Sequence, residues 1–156
     1  YKNNILLPFE VEGYFITFKD AQGKTRGCSG ELRKMSSIPI DILGEHIEKA
    51  KNFDPRYKPI KNEEIKSLNC FFSLILKRSP ADSIYNYNPK ITGFIYEANG
   101  RNSILLPGEA KTTRWALLEL RRQAGFAEKQ AGESLEIIKT RLWVFPVSNP
   151  EKYKEY

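Results

Sequence analysis

GYFITFK (residues 13–19), DAQG (20–23) and TRGCSGE (25–31) read as strand, turn and strand. The first segment is aromatic and β-branched, and the link is built of turn formers, so a β-hairpin is predicted with Cys28 on its second strand. Period-2 alternation puts Arg26, Cys28 and Gly30 on one face of that strand and Gly27 and Ser29 on the other. A guanidinium beside a thiol favours thiolate, and flanking glycines let another backbone or a ligand approach the sulfur. Gly27 and Gly30 do not form a phosphate-cradling loop, because no helix start or lysine follows at the required spacing. A bulge or a close backbone approach is the expectation for them.

Downstream, Ser36-Ser37-Ile38-Pro39 reads as a break, and Asp41 as the N-cap of a helix running to about Phe53. Leu43, Ile47, Ala50 and Phe53 share its apolar face, with Glu45, Glu48 and Lys49 opposite and His46 at the border as a surface or boundary residue. Asp54-Pro55-Arg56-Tyr57-Lys58-Pro59 is an extended loop, since each proline turns its predecessor away from helix. Arg56 and Tyr57 are presented there to a ligand or partner, or Arg56 pairs with Asp54, Glu63 or Glu64 to lock the loop. A short helical turn is expected from Asn62 towards Leu68.

Cys70–Leu76 (CFFSLIL) is a near-continuous apolar run and the predicted central strand, with Cys70 an inert buried thiol. Residues 79–90 read as a loop. Two further strands, 91–97 and 102–106, join through Asn99-Gly100, a strong hairpin signal. Thr112 or Thr113 caps a helix to about Ala124 that turns Trp115, Leu117, Leu118 and Leu120 inward and stops at Gly125. A last long strand covers 135–147, and the polar tail 151–156 is expected to fray. The fold class is α+β: a mixed, mainly antiparallel sheet with packed helices. The expected domain spans 1–150.

With 156 residues, 40% apolar and 12% aromatic, the chain is long enough for one sizeable core. Lys plus Arg number 25 against 19 acidic residues, a formal charge of +6. The signs are interspersed, which speaks for a solvated surface over a nucleic-acid interface. Two cysteines lack the paired spacing of a zinc site and are too few for a disulfide framework, which points to a reducing, cytoplasmic setting, although one bridge between them stays open. A single histidine and no clustered carboxylates argue against a metal site. No apolar run is long enough to span a bilayer. The chain begins at Tyr1 without a methionine, which fits either a trimmed chain or a piece of a longer polypeptide.

In sequence order, several motifs together resemble the AMMECR domain, named after a human X-linked region associated with Alport syndrome, midface hypoplasia and elliptocytosis. They are Arg26-Gly27-Cys28-Ser29-Gly30, the loop Asp54, Arg56, Tyr57 and Pro59, the turn at Glu63 and Glu64, Gly93, Leu106-Pro107, and Gln123-Ala124-Gly125. The likeness runs from about Gly13 to Val147. Ser29 stands where the family usually carries an aliphatic residue, Asn69 where it favours glutamate, and Thr92 where histidine or aspartate is common. The family's N-terminal helix is missing or shortened before Tyr14. The resemblance implies one α+β domain of a larger and a smaller lobe, with the cysteine motif close to a cleft. It also implies association with Memo-like and radical S-adenosylmethionine proteins in a modification or metabolic pathway.

Three functions remain open on the sequence. The first is an accessory domain that binds a small molecule or partner near Arg26, Gly27, Cys28, Ser29, Gly30, Arg56 and Tyr57. The second is a thiol enzyme with Cys28 as nucleophile and Arg26 tuning it. The third is an RNA-binding module. No cofactor is named by any motif.

Overall fold

The structure, a computed structural model, describes residues 3–156. Nine strands and three helices follow in the order β1 (Asn4–Val11), β2 (Gly13–Lys19), β3 (Thr25–Glu31), β4 (Met35–Pro39), α1 (Ile40–Asn52), α2 (Asn62–Ile65), β5 (Asn69–Ala81), β6 (Gly93–Ala98), β7 (Arg101–Leu105), α3 (Thr113–Gln123), β8 (Ser134–Pro146) and β9 (Lys154–Glu155). The fold is α+β, with a seven-stranded antiparallel sheet in the order β3-β2-β5-β8-β6-β7, β9 added to β8, and a two-stranded sheet of β1 and β4. The chain divides into two compact units: one holds everything up to Leu76 together with Arg141–Tyr156, the other Lys77–Thr140.

In the first unit the hairpin forms, with a register shift between Phe18 and Lys19 that leaves Arg26 with no residue opposite it on β2. Thr17 lies opposite Cys28 and Phe15 opposite Gly30, while β5 pairs along the other side of β2. Asp20 builds the turn, its Oδ1 accepting from the amides of Gln22 and Lys24, and Gly23 supplies the positive φ of 83°. The residues on the face of Tyr14, Ile16 and Phe18 make two linked clusters, one with Ala50, Ile60, Leu68 and Cys70, the other with Val11, Met35, Ile38 and Leu74.

Several expectations are corrected here. The Ser36–Pro39 break is a strand, because β1 offers it a partner with Ile5 opposite Ile38; local turn composition gave way to pairing. The expectation that the N-terminal helix is missing or shortened meets a strand, Asn4–Val11, in the described residues before Tyr14. Asp41 does not cap α1, since the chain leaves β4 directly into the helix with Pro39 at the N-cap position; Asp41 lies in the first turn and accepts from the Ile42 amide. The helix is seated by His46 and Ala50, whereas Ile47 and Phe53 are exposed. The tail does not end as free coil: Lys154 pairs with Val144 and Glu155 with Trp143.

The second unit is organised by the β6–β7 hairpin, whose Asn99 and Gly100 both take positive φ, 52° and 77°, as a two-residue turn of this chemistry requires. Thr112 Oγ1 caps α3 by accepting from the Trp115 amide at 3.1 Å. Ala116 and Leu120 are fully buried with Phe94, Tyr96 and Leu105, and the Ser103 hydroxyl donates to the Leu120 carbonyl. Trp115 and Leu118 point outward, 47% and 52% exposed, because the smaller Ala116 faces the sheet. β5 continues past the predicted loop start to Ala81, and β6 opens at Gly93, leaving Ile91 exposed. Glu133 ties this unit together: Arg121 grips it through Nε and Nη2, Tyr96 Oη donates at 2.6 Å, and the Gln130 amide donates at 3.2 Å. Burial pushes the Glu133 pKa up, but those hydrogen bonds outweigh it and bring it down to about 2.

Candidate functional site

β3 is an edge strand, paired on one side only, and its outward backbone groups need a partner or water. Asp54, 8% exposed in the loop after α1, provides one. Its Oδ2 accepts from the Cys28 amide at 3.0 Å, placing that amide on the outer edge of the sheet. The same carboxylate accepts from the Arg56 amide at 3.1 Å, Arg56 Nε at 3.0 Å and Arg56 Nη2 at 2.9 Å. Four N–H donors therefore converge on one buried carboxylate. Burial pushes the Asp54 pKa up, yet the Arg56 side chain and backbone, and then the Cys28 amide, hold it below the ordinary range. The Arg56 guanidinium is held charged first by its hydrogen bond to Asp54, against burial, with the Asp54 charge and the Coulombic effect of Cys28 adding to it. Arg56 also lies over the Tyr57 ring, 5.4 Å from its centroid.

An outward Cys28 amide makes Thr17 and Cys28 a close, non-hydrogen-bonded cross-strand pair whose side chains share a face. Fully buried Thr17 donates its hydroxyl to Cys28 Sγ at 3.2 Å. Arg26, expected to tune this thiol, is instead held by Glu64, Nε to Oε2 at 2.5 Å and Nη2 to Oε1 at 3.0 Å. That bond, more than any other influence, raises the Arg26 pKa and lowers that of Glu64. Arg56, from the proline-flanked loop, is coupled electrostatically to Cys28. Both cysteines are thiols, and burial pushes Cys70 up to about 12, which keeps it protonated.

The opposite face of β3 turns to α1. Ser29 Oγ lies 2.8 Å from His46 Nδ1, and His46 Nε2 lies 3.5 Å from Glu31 Oε2, with the Tyr14 ring edge-on to the imidazole. His46 is 7% exposed, so the expected boundary residue is a buried clamp. A Cβ on Gly27 would fall on the Ala50 carbonyl oxygen, and one on Gly30 would meet the Tyr14 carbonyl. Close backbone approach is therefore what these glycines allow. The structure brings Arg26, Cys28, Arg56 and Tyr57 to the outer edge, turns Gly27 and Ser29 towards α1, and sets Gly30 beside Phe15. Among the described residues, no group of three His, Cys, Asp or Glu side chains is placed to hold a metal ion.

The AMMECR1 family model matches residues 6–147. The chain belongs to the AMMECR1 family. A protein of Methanothermobacter thermautotrophicus is 30% identical over 109 residues, 66% of this chain and 56% of that protein, so the chain spans just over half the length of that relative. The crystal structure of an uncharacterised protein from Pyrococcus horikoshii has the same fold, with a TM-score of 0.70 at 18% identity over 94% of this chain and 79% of that one. Within this AMMECR1 domain, Ser29 gains a meaning its sequence did not supply. The hydroxyl is one half of the bond that seats His46 on β3. Thr17 is the contributor to the site that sequence reasoning missed, and counting back across the turn to the position opposite Cys28 would have found it. No helix among the described residues is long and apolar enough to cross a membrane.

Proposed function

We propose that this AMMECR1 domain is a non-catalytic binding module that offers the outer edge of β3, with Cys28, Arg56 and Tyr57, to a small molecule or a partner protein. The pathway would be a modification or metabolic one shared with Memo-like and radical S-adenosylmethionine proteins. The observation that carries this reading is the Asp54 clamp. Every donor aimed at it is spent on holding Arg56 and the Cys28 amide in one geometry, which favours preorganised recognition. Asp54 is a poor general base with its pKa lowered and its oxygens occupied, and the chain's one imidazole is engaged with Ser29 on the opposite face.

One observation favours a second reading, a thiol enzyme with Cys28 as nucleophile. The Thr17 hydroxyl donates to the sulfur, a bond that supports negative charge there. Capture experiments separate the two. Immobilised protein is expected to retain a Memo-like protein, Arg56→Ala to lose it, and Cys28→Ala to keep it. Turnover of a thioester test substrate that Cys28→Ala abolishes and Arg56→Ala merely weakens would replace binding with catalysis.

A further inference from the structure

The first unit contains a cavity of about 620 Å³ on the α1 side of the sheet, away from the Cys28 edge. Its floor is formed by Ile16, Phe18 and Cys70, each no more than 5% exposed, with Trp143 beside them. Its walls rise from three separate segments: Ile5 of β1, Ile47 of α1 and Tyr153 of the C-terminal tail, 40%, 39% and 60% exposed. Protein interiors pack as densely as organic crystals, and voids beyond the size of a water molecule are few. A space this large, with a buried floor and half-exposed rim, is not a packing defect.

The shape and the chemistry limit what fills it. The space is an open groove with a buried floor and walls on separate elements, of a size that suits a small molecule. The residues lining the space carry no formal charge, and the Cys70 thiol on the floor is held neutral by burial. A charged body would lose its hydration there without compensation. The Tyr153 phenol at the rim and the Trp143 indole N–H supply the only side-chain N–H and O–H donors in the lining. The volume falls within the range of small-molecule sites.

We propose that this cavity is a binding site for one small molecule with an uncharged hydrocarbon or aromatic body, its polar end directed to Tyr153 at the mouth. The site is independent of the proposed role of Cys28 and Arg56. The chain has two tryptophans, so Trp115→Phe leaves Trp143 as the sole indole and a reporter inside the pocket. The probe is N-phenyl-1-naphthylamine, uncharged and fluorescent in apolar surroundings. Titration into the Trp115→Phe protein is expected to give saturable, one-to-one energy transfer from Trp143. Ile47→Glu, which puts a carboxylate into one wall at a half-exposed position, is expected to weaken binding by roughly tenfold or more. Ile5→Glu repeats this from a second wall should Ile47→Glu not fold. Leu118→Glu, an exposed apolar position in the other unit, and Arg56→Ala leave the probe's affinity unchanged. Absence of saturable transfer, or equal affinity in both wall variants, overturns the proposal. So does sedimentation showing a dimer that excludes the probe and that Ile47→Glu dissociates.

Discussion

Asp54 and Glu133 solve one electrostatic problem with the same parts. Each is a carboxylate accepting four hydrogen bonds, Asp54 buried and Glu133 part-buried, two from the Nε and Nη2 of an arginine and at least one from a backbone amide. The difference lies in where the donors come from. Arg56 is two residues from Asp54, so that fork closes a loop on itself, and only the Cys28 amide reaches across the sequence. Arg121 stands on α3 and Tyr96 on β6, so Glu133 joins three segments that would otherwise be separate. Identical chemistry holds a site in one unit and a fold in the other. Side-chain exposure follows the same division: Arg56 is 34% exposed and keeps a route to water, whereas Arg121 is 13% exposed and has little.

If that contrast is right, Glu133→Gln is the most damaging of the paired substitutions. It leaves the part-buried Arg121 charge beside a neutral amide and should cost about 2–3 kcal/mol, read as a lowered melting temperature with faster amide exchange in β6 and α3. Asp54→Asn should cost less, about 1–2 kcal/mol, because Arg56 can turn to solvent. Its exchange signature should be confined to Cys28 and the 54–59 loop. Equal losses from the two would abolish the distinction between a local and a global clamp.

Titration sharpens the comparison. The folded Glu133 pKa of about 2 lies below the ordinary glutamate value of about 4.3. Its contribution is therefore complete above the unfolded pKa and disappears as pH falls towards the folded one. Tyr96 runs the other way. Burial first, and then its bond to Glu133, raises it to about 12. The neutral phenol thus stabilises the fold up to the unfolded value near 10, and that support is lost as pH climbs to about 12. Urea midpoints measured across both windows should drop in the wild-type protein, and Glu133→Gln should flatten the acid limb. The smallest effect expected is for Ser29→Val, which leaves His46 Nδ1 without its hydroxyl partner. About 1 kcal/mol should be lost, measured by chemical denaturation.

The hairpin, the α3 cap and the Asn99-Gly100 turn were legible because each is fixed by neighbours a few residues away. What local pattern could not show was pairing at a distance. Ser36–Pro39 carries break composition and becomes a strand only because β1 lies beside it. Ile47 and Phe53 fit an apolar helical face, but Gly27 lets α1 come so close to β3 that Ala50 and His46 take the contact. At the site, alternation could not show the register shift between Phe18 and Lys19 that leaves Arg26 with no residue opposite it on β2. Nor could it reveal that Glu64, 38 residues on, takes up Arg26, or that Arg56 is coupled electrostatically to Cys28. Ion-pair partners are chosen by three-dimensional proximity, and several acidic residues compete for each arginine in a chain of mixed charge.

Gly27 carries one more implication. Because the Ala50 carbonyl rests where a side chain would begin, helix meets strand main chain to main chain, and no rotamer change can absorb a shift. That contact acts as a mechanical datum for α1. Ile47, one turn before Ala50, takes its position in the cavity wall from it, and Asp54, one turn after, takes its reach to Cys28. The two pockets of chemistry in this unit are unconnected by any ligand, yet they share a single reference point. A variant with a side chain at residue 27 would displace both at once.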